Sequence, residues 1–351
     1  DWLAHPPEDP WWDSLDLRDK YHRTDAAVLN FSGWYDEAYG PEGAATNFSG
    51  LMASRTTWDD PRIRLVIGPW AHGVPSTGDS SVGDRDFGPQ GVVDYDELVL
   101  RWMDRYVRGS ENGVEFEPRV RAFLMGRNAW VESNSWPIPG GNDLVLYLDG
   151  TALPGRPSLL SRTAPGGNGS RSSFVSDPAQ PVRDPYPPNS GAHDYAGLLG
   201  RSDVLAWETP PLQSDVSIMG RIEAVLYVSC DAPDADIWVK LLDVGPDGRA
   251  MSLMSPGLDV LRMSYRDPAK PRLLEPGRVY EIRLGNLMTG NTFRKGHRIR
   301  IQLSGSFFPN FSRNLHTGKR ETESGEMRRA QVTLHHHPGA PSRIRLPSLE
   351  P

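Results

Sequence analysis

The sequence holds a single cysteine, Cys230, among 351 residues. One thiol excludes an intrachain disulfide and a cysteine-rich zinc site. Any run of 18 or more apolar residues is also missing, so no segment reads as a membrane-spanning helix. No charged stretch followed by an apolar run opens the chain, so no signal peptide is legible. The expectation is a soluble protein, cytoplasmic rather than secreted, although one cysteine does not fix the compartment. Basic clusters are absent too. The 38 Lys and Arg are interspersed with 45 Asp and Glu, giving a net charge of −7. That mixture argues against a nucleic-acid partner. Gly-x-Ser-x-Gly, the turn that carries a hydrolase serine, occurs nowhere, and position 1 is Asp1 rather than Met. The missing Met predicts chain upstream of this point.

Turn formers are plentiful: Gly 35 and Pro 32 make up about a fifth of the chain. Such a composition fits short strands joined by turns better than a helical bundle. Two textures are visible. In residues 1–125, apolar runs at Ala26–Phe31, Ile63–Ile67 and Arg119–Met125 read as buried strands. Between them, residues 41–55 and 92–108 read as helices, the second with Leu98, Trp102 and Tyr106 on one stripe. Strand, helix, strand, helix, strand predicts a parallel sheet with covering helices. Residues 126–205 are rich in Pro, Gly, Ser and Asn, with Thr163–Ser173 read as a loop and a strand at 144–148. From about residue 203 the pattern is all-β. Runs at Glu223–Val228, Ile237–Leu242, Tyr280–Leu284, Arg298–Leu303 and Ala330–Leu334 predict a sandwich or jelly roll.

Two motifs follow strands of the first part: Gly33-Trp34-Tyr35-Asp36 and Gly68-Pro69-Trp70-Ala71-His72-Gly73. Each puts a titratable side chain beyond the C-terminal end of a parallel strand, the edge where open α/β sheets bind ligands. One strand–helix–strand unit separates Asp36 from His72, so adjacent strands would present them side by side. A carboxylate beside an imidazole fixes the ring tautomer, and the other nitrogen can then take a serine proton. Asp before His is the chain order of an α/β-hydrolase triad, with the serine expected earlier, before Asp1. Trp34, Tyr35 and Trp70 flank the pair and are candidates for substrate-pocket walls, against a reading as packing.

The two motifs resemble the acid and base motifs of the cocaine-esterase and X-Pro dipeptidyl-peptidase family, to which α-amino-acid ester hydrolases and cephalosporin acylases are related. The likeness continues through Phe123–Trp130, Asp236–Arg249, Gly296–Asn310 and Arg313-Asn314. What the resemblance implies is an acyl hydrolase built of an α/β-hydrolase domain, an inserted cap and a C-terminal jelly roll. Residues 1–20 would be the tail of the cap and 21–125 the last part of the hydrolase domain. Residues 126–351 would be linker and jelly-roll β-sandwich. The family's nucleophilic Ser and oxyanion-hole Tyr have no counterpart here. The expected partner is therefore an N-terminal hydrolase segment carrying that Ser, from the same gene product or a separate chain. On this reading the isolated chain is inactive and exposes a sheet edge. Its substrate would be a small-molecule ester or amide, with no cofactor and no metal. A homo-oligomer stays open. The alternative is a non-catalytic jelly-roll binding or scaffold fragment.

The remaining conspicuous residues read as structural. His335, His336 and His337 are consecutive on a strand and alternate faces, so they cannot share one ion. His5 and His22 read as surface or cap residues, and His297 as structural at a strand start. Trp2, Trp11 and Trp12 read as packing, and Cys230 as a small buried hydrophobe.

Overall fold

A computed structural model describes residues 2–6, 9–37, 40–57, 59–167, 169–255 and 258–349. The first region is a layer of strands and helices: β1 (Val28–Tyr35), α1 (Gly40–Ser54), β2 (Ile63–Ala71), the short hairpin β3 (Ser81–Val82) and β4 (Arg85–Asp86), α2 (Tyr95–Tyr106), β5 (Val120–Leu124) and β6 (Ala129–Ser133). The main sheet runs β1-β2-β5-β6. β1, β2 and β5 are parallel, as the strand–helix alternation predicts, whereas β6 returns antiparallel to β5 through a tight turn. α1 buries Pro41, Ala45, Phe48 and Leu51, spaced three or four apart as one helix face demands. α2 is capped by Asp94, whose side chain accepts from the Glu97 N–H at 2.9 Å, and it buries Trp102. Among the described residues β1 pairs only with β2, so its other edge carries no strand.

The rest of the chain is β-rich, a large mixed, mostly antiparallel network with few helices. Every strand expected in this region lies inside an observed one, and the observed strands run further, whereas in the first region the expected Ala26–Phe31 starts two residues before β1 and Arg119–Met125 overruns β5 at both ends. Glu223–Val228 sits within Val216–Cys230, which pairs with Tyr280–Phe293 from Val216↔Phe293 to Val228↔Tyr280. Asp236–Val244 is buried at all nine positions, so its period-2 alternation is lost in the sequence. The loop expected at Thr163–Ser173 is shorter, because a strand starts at Arg171 and pairs with Ala330–His337. Position 168 lies outside the described residues.

The two regions share one apolar core. Phe123, Met125, Met219, Met288 and Phe293 belong to the same buried cluster. Backbone bonds stitch the seam: the Met125 N–H donates to Gly290 at 3.0 Å and the Thr292 N–H to Met125 at 2.8 Å. No described helix is long and apolar enough to cross a membrane.

Candidate active site

Asp36 follows β1 directly and His72 follows β2 directly. Their meeting depends on the register of these strands. From Val28↔Ile63 to Gly33↔Gly68 the partners are offset by 35, and at Tyr35↔Ala71 the offset is 36, across a bulge. Without that extra residue Asp36 would lie opposite Ala71, and a slip of one residue turns a side chain to the other face. The bulge sets Asp36 level with His72. Glycine permits it: a Cβ on Gly33 would lie 2.1 Å from the Trp70 carbonyl oxygen. Gly73, at φ 99°, takes the chain out of the strand in a conformation that other L-residues rarely adopt.

The result is a contact of 3.1 Å between His72 Nδ1 and Asp36 Oδ1. The Asp36 side chain is mostly buried, 14% exposed, while that of His72 is 42% exposed. A sheltered carboxylate under a more accessible imidazole is the arrangement by which a base is oriented and left open to a reacting group. Ring-proton placement follows from chemistry: an ionised Asp36 only accepts, so the shared proton resides on Nδ1.

The three flanking aromatics are not pocket walls in this structure. Trp34 and Tyr35 are wholly buried and Trp70 is 1% exposed. Trp34 Nε1 donates to the Phe123 carbonyl at 2.7 Å and Trp70 Nε1 to that of Gly91 at 2.7 Å. Tyr35 Oη donates to the Ser252 carbonyl at 2.9 Å, and Trp70 stacks on Phe31 with centroids 4.8 Å apart. Strands β1 and β2 run on through these positions instead of ending before them, so the rings enter the core. Their polar atoms are satisfied internally, as buried indoles and phenols require.

Glu37, next to Asp36, was not legible as functional. Its Oε2 accepts from the Asn189 N–H at 2.6 Å and from Ser255 Oγ at 3.1 Å, and its Oε1 accepts from Asn310 Nδ2 at 2.8 Å. The available signal was an acidic residue directly after the acid motif, with Asn310 inside another motif of the resemblance.

Three further Asp–His contacts exist among the described residues: His5–Asp9 at 2.9 Å, His193–Asp84 at 2.9 Å and His297–Asp243 at 2.8 Å. None joins the ends of two adjacent parallel strands. Asp243 hydrogen-bonds His297 and raises its pKa above the ordinary imidazole value. His336 is wholly buried with Nε2 2.9 Å from Ser172 Oγ, and burial pushes its pKa down to about 4. His335 bonds Ser229 Oγ at 2.9 Å from the opposite face, as alternation predicts. Burial pushes the Cys230 thiol up to about 11, so it is not a thiolate near neutrality. Trp2 and Trp11 do not pack in the core: they are 71% and 38% exposed, with Trp11 stacked on His5 at 4.5 Å. No group of three or more His, Cys, Asp or Glu placed to hold a metal occurs among the described residues.

A family profile described as the X-Pro dipeptidyl-peptidase C-terminal non-catalytic domain matches residues 112–345, and one for X-Pro dipeptidyl-peptidase (S15 family) matches residues 1–74. The chain belongs to the cocaine-esterase and X-Pro dipeptidyl-peptidase family of acyl hydrolases. Cocaine esterase of Rhodococcus sp. (strain MB1 Bresler) is 33% identical over 364 residues, covering 99% of this chain and 61% of that protein. An aminopeptidase from a marine sediment Thaumarchaeota archaeon superposes with TM-score 0.86 at 26% identity, covering 99% of this chain and 59% of that one. An α-amino acid ester hydrolase superposes with TM-score 0.81 at 26% identity, covering 97% and 58%. The chain thus spans 58% to 61% of the length of these relatives. Serine esterases and peptidases make up the family, which supports hydrolase chemistry. Asp36 and His72 both fall in the segment matched to the peptidase profile, and the match to the non-catalytic domain begins after them.

Proposed function

We propose that this chain supplies the acid and base of a serine acyl hydrolase, and that the nucleophilic serine comes from a segment N-terminal to it. One observation carries the reading: Asp36 and His72 meet at 3.1 Å at the ends of adjacent parallel strands. In the reaction, His72 takes the serine proton through Nε2 as the oxygen attacks an ester or amide carbonyl. The imidazolium that forms is stabilised by Asp36 on Nδ1, and it then returns the proton to the leaving group. Water repeats the cycle and releases the acid. The oxyanion donors belong to the same missing segment as the serine.

Supporting features point to that segment. Among the described residues no strand pairs with the second edge of β1, and an open strand edge favours addition of a strand. Trp2, Leu3, Leu15 and Leu17 are each more than half exposed, apolar side chains that a further segment could cover. The similar proteins are each longer than this chain by the missing share. We read the β-rich region as the family's jelly roll and the substrate as a small-molecule ester or amide.

The test is hydrolysis of an aryl ester by the purified chain, alone and mixed with a segment containing Gly-x-Ser-x-Gly. The chain alone is expected to be inactive, and activity to return on mixing. Turnover by the chain alone that disappears in His72→Ala would contradict the proposal, because the nucleophile would then lie within these residues.

A further inference from the structure

Asp36 is fastened on both sides. Tyr35 before it donates to the Ser252 carbonyl of the β-rich region at 2.9 Å. Glu37 after it accepts three hydrogen bonds from that region, from the Asn189 N–H, Ser255 Oγ and Asn310 Nδ2. These donors come from three separate loops, and bonds to a carboxylate are about twice as strong as neutral ones. The network continues inward. Asn310 Nδ2 also reaches Asp184 Oδ2 at 3.4 Å, and Asp184 Oδ1 accepts from Tyr195 Oη at 3.1 Å. The ammonium of the wholly buried Lys240 lies 3.7 Å above the Tyr195 ring. Burial draws Lys240 down to about 7, while the charges of Asp184 and Glu37 act in the opposite direction. Both oxygens of Glu37 are thus engaged by the β-rich region, while Asp36 is the carboxylate on His72.

We propose that Glu37 is a positioning residue: it ties the turn carrying Asp36 to the β-rich region, so that this region sets the Asp36–His72 contact without touching substrate. The inference rests on the hydrolase reading above. Its consequence is that the region matched to a non-catalytic domain holds the acid of the catalytic pair in place. Displacing a catalytic group by about 1 Å costs on the order of 100-fold in rate.

The experiment compares Glu37→Ala, Asn310→Ala, Ser255→Ala and Asp36→Asn. In the chain itself, the 15N shifts of the His72 ring report which nitrogen carries the proton. In the mixture with the serine-bearing segment, kcat and KM for an aryl ester are measured. Glu37→Ala is expected to mix the two ring tautomers and to lower kcat roughly 100-fold, with KM within about twofold. Asn310→Ala and Ser255→Ala, each losing one donor, give smaller losses in the same direction. If Glu37→Ala does not fold, these two variants decide the matter. Unchanged ring shifts and kcat in the Glu37 series, with both lost in Asp36→Asn, would overturn the positioning role and leave the acid–base pair standing. A fall in thermal stability without change in either readout would overturn it equally. No effect of Asp36→Asn would remove both proposals together.

Discussion

His72 and His297 each hold an aspartate through Nδ1 at similar distances, 3.1 and 2.8 Å, in two regions built differently. The first pair joins loops at the ends of parallel strands, in a layer whose edge strand β1 pairs with β2 alone among the described residues. The second joins neighbouring antiparallel strands, with Asp243 in Asp236–Val244 and His297 just before Arg298–Ser304. Four such contacts among the described residues show that proximity of carboxylate and imidazole is common and does not mark a site. What separates the first pair is its place: parallel strands aim successive loops at one edge, whereas antiparallel strands scatter theirs to both ends. The β-rich region uses its Asp–His pair to fasten strands; the α/β region exposes its own to whatever occupies that edge.

Exchanging the aspartates breaks this comparison most sharply. In the mixture with the serine-bearing segment, Asp36→Asn is expected to lower kcat about 10⁴-fold by favouring the wrong ring tautomer. Asp243→Asn should leave kcat within about twofold, as befits a substitution away from the reacting groups. Equal losses in the two variants would erase the distinction between the regions.

Next in size is Trp34→Ala, expected to cost about 4 kcal/mol in denaturant unfolding, the range for emptying a buried aromatic site. If Trp34 instead lined the substrate pocket, the variant would shift KM among esters of different size while stability held.

A pH scan sharpens the contrast from the other side. His336 is neutral in the fold, with a pKa of about 4 against an ordinary 6.5. The unfolded chain therefore binds the proton first. Its contribution is complete above about 6.5 and is lost as pH falls through about 4, on the order of 3 kcal/mol. Unfolding free energies of wild type and His336→Gln across that interval check it, since the variant should lack this part of the acid sensitivity.

The smallest effect is expected at His297, whose pKa is raised by Asp243. Its contribution is present below the ordinary imidazole value and is lost as pH rises through the raised one. His297→Gln should flatten that alkaline-side decline, measured by thermal unfolding from pH 5 to 9, with kcat unaltered.

Much of the site was legible because it is local in the chain. The motifs of Asp36 and His72, their order and the strand–helix–strand spacing are all short-range patterns. The bulge that sets the pair level was not, since it depends on Gly33 meeting the backbone of Trp70 across the sheet. Trp34, Tyr35 and Trp70 were misplaced for the same reason: the turn-like glycines at 33 and 68 suggested strand ends, but both strands continue past them. The β-rich strands were found and cut short, because fully buried segments such as Asp236–Val244 lose alternation. Glu37 escaped notice because its donors lie 152, 218 and 273 residues away. Trp2 and Trp11 were assigned to packing by their apolar area, but both lie at the surface, where Trp11 stacks on His5.

The most direct single measurement is labelling with a fluorophosphonate, which reacts only with an activated serine. The chain is mixed with the serine-bearing segment, and each polypeptide is resolved by intact mass. The expected result is one label on the segment, dependent on this chain and abolished by His72→Ala. A label on the chain itself, or one on the segment that survives His72→Ala, would contradict the assignment of His72 as the base.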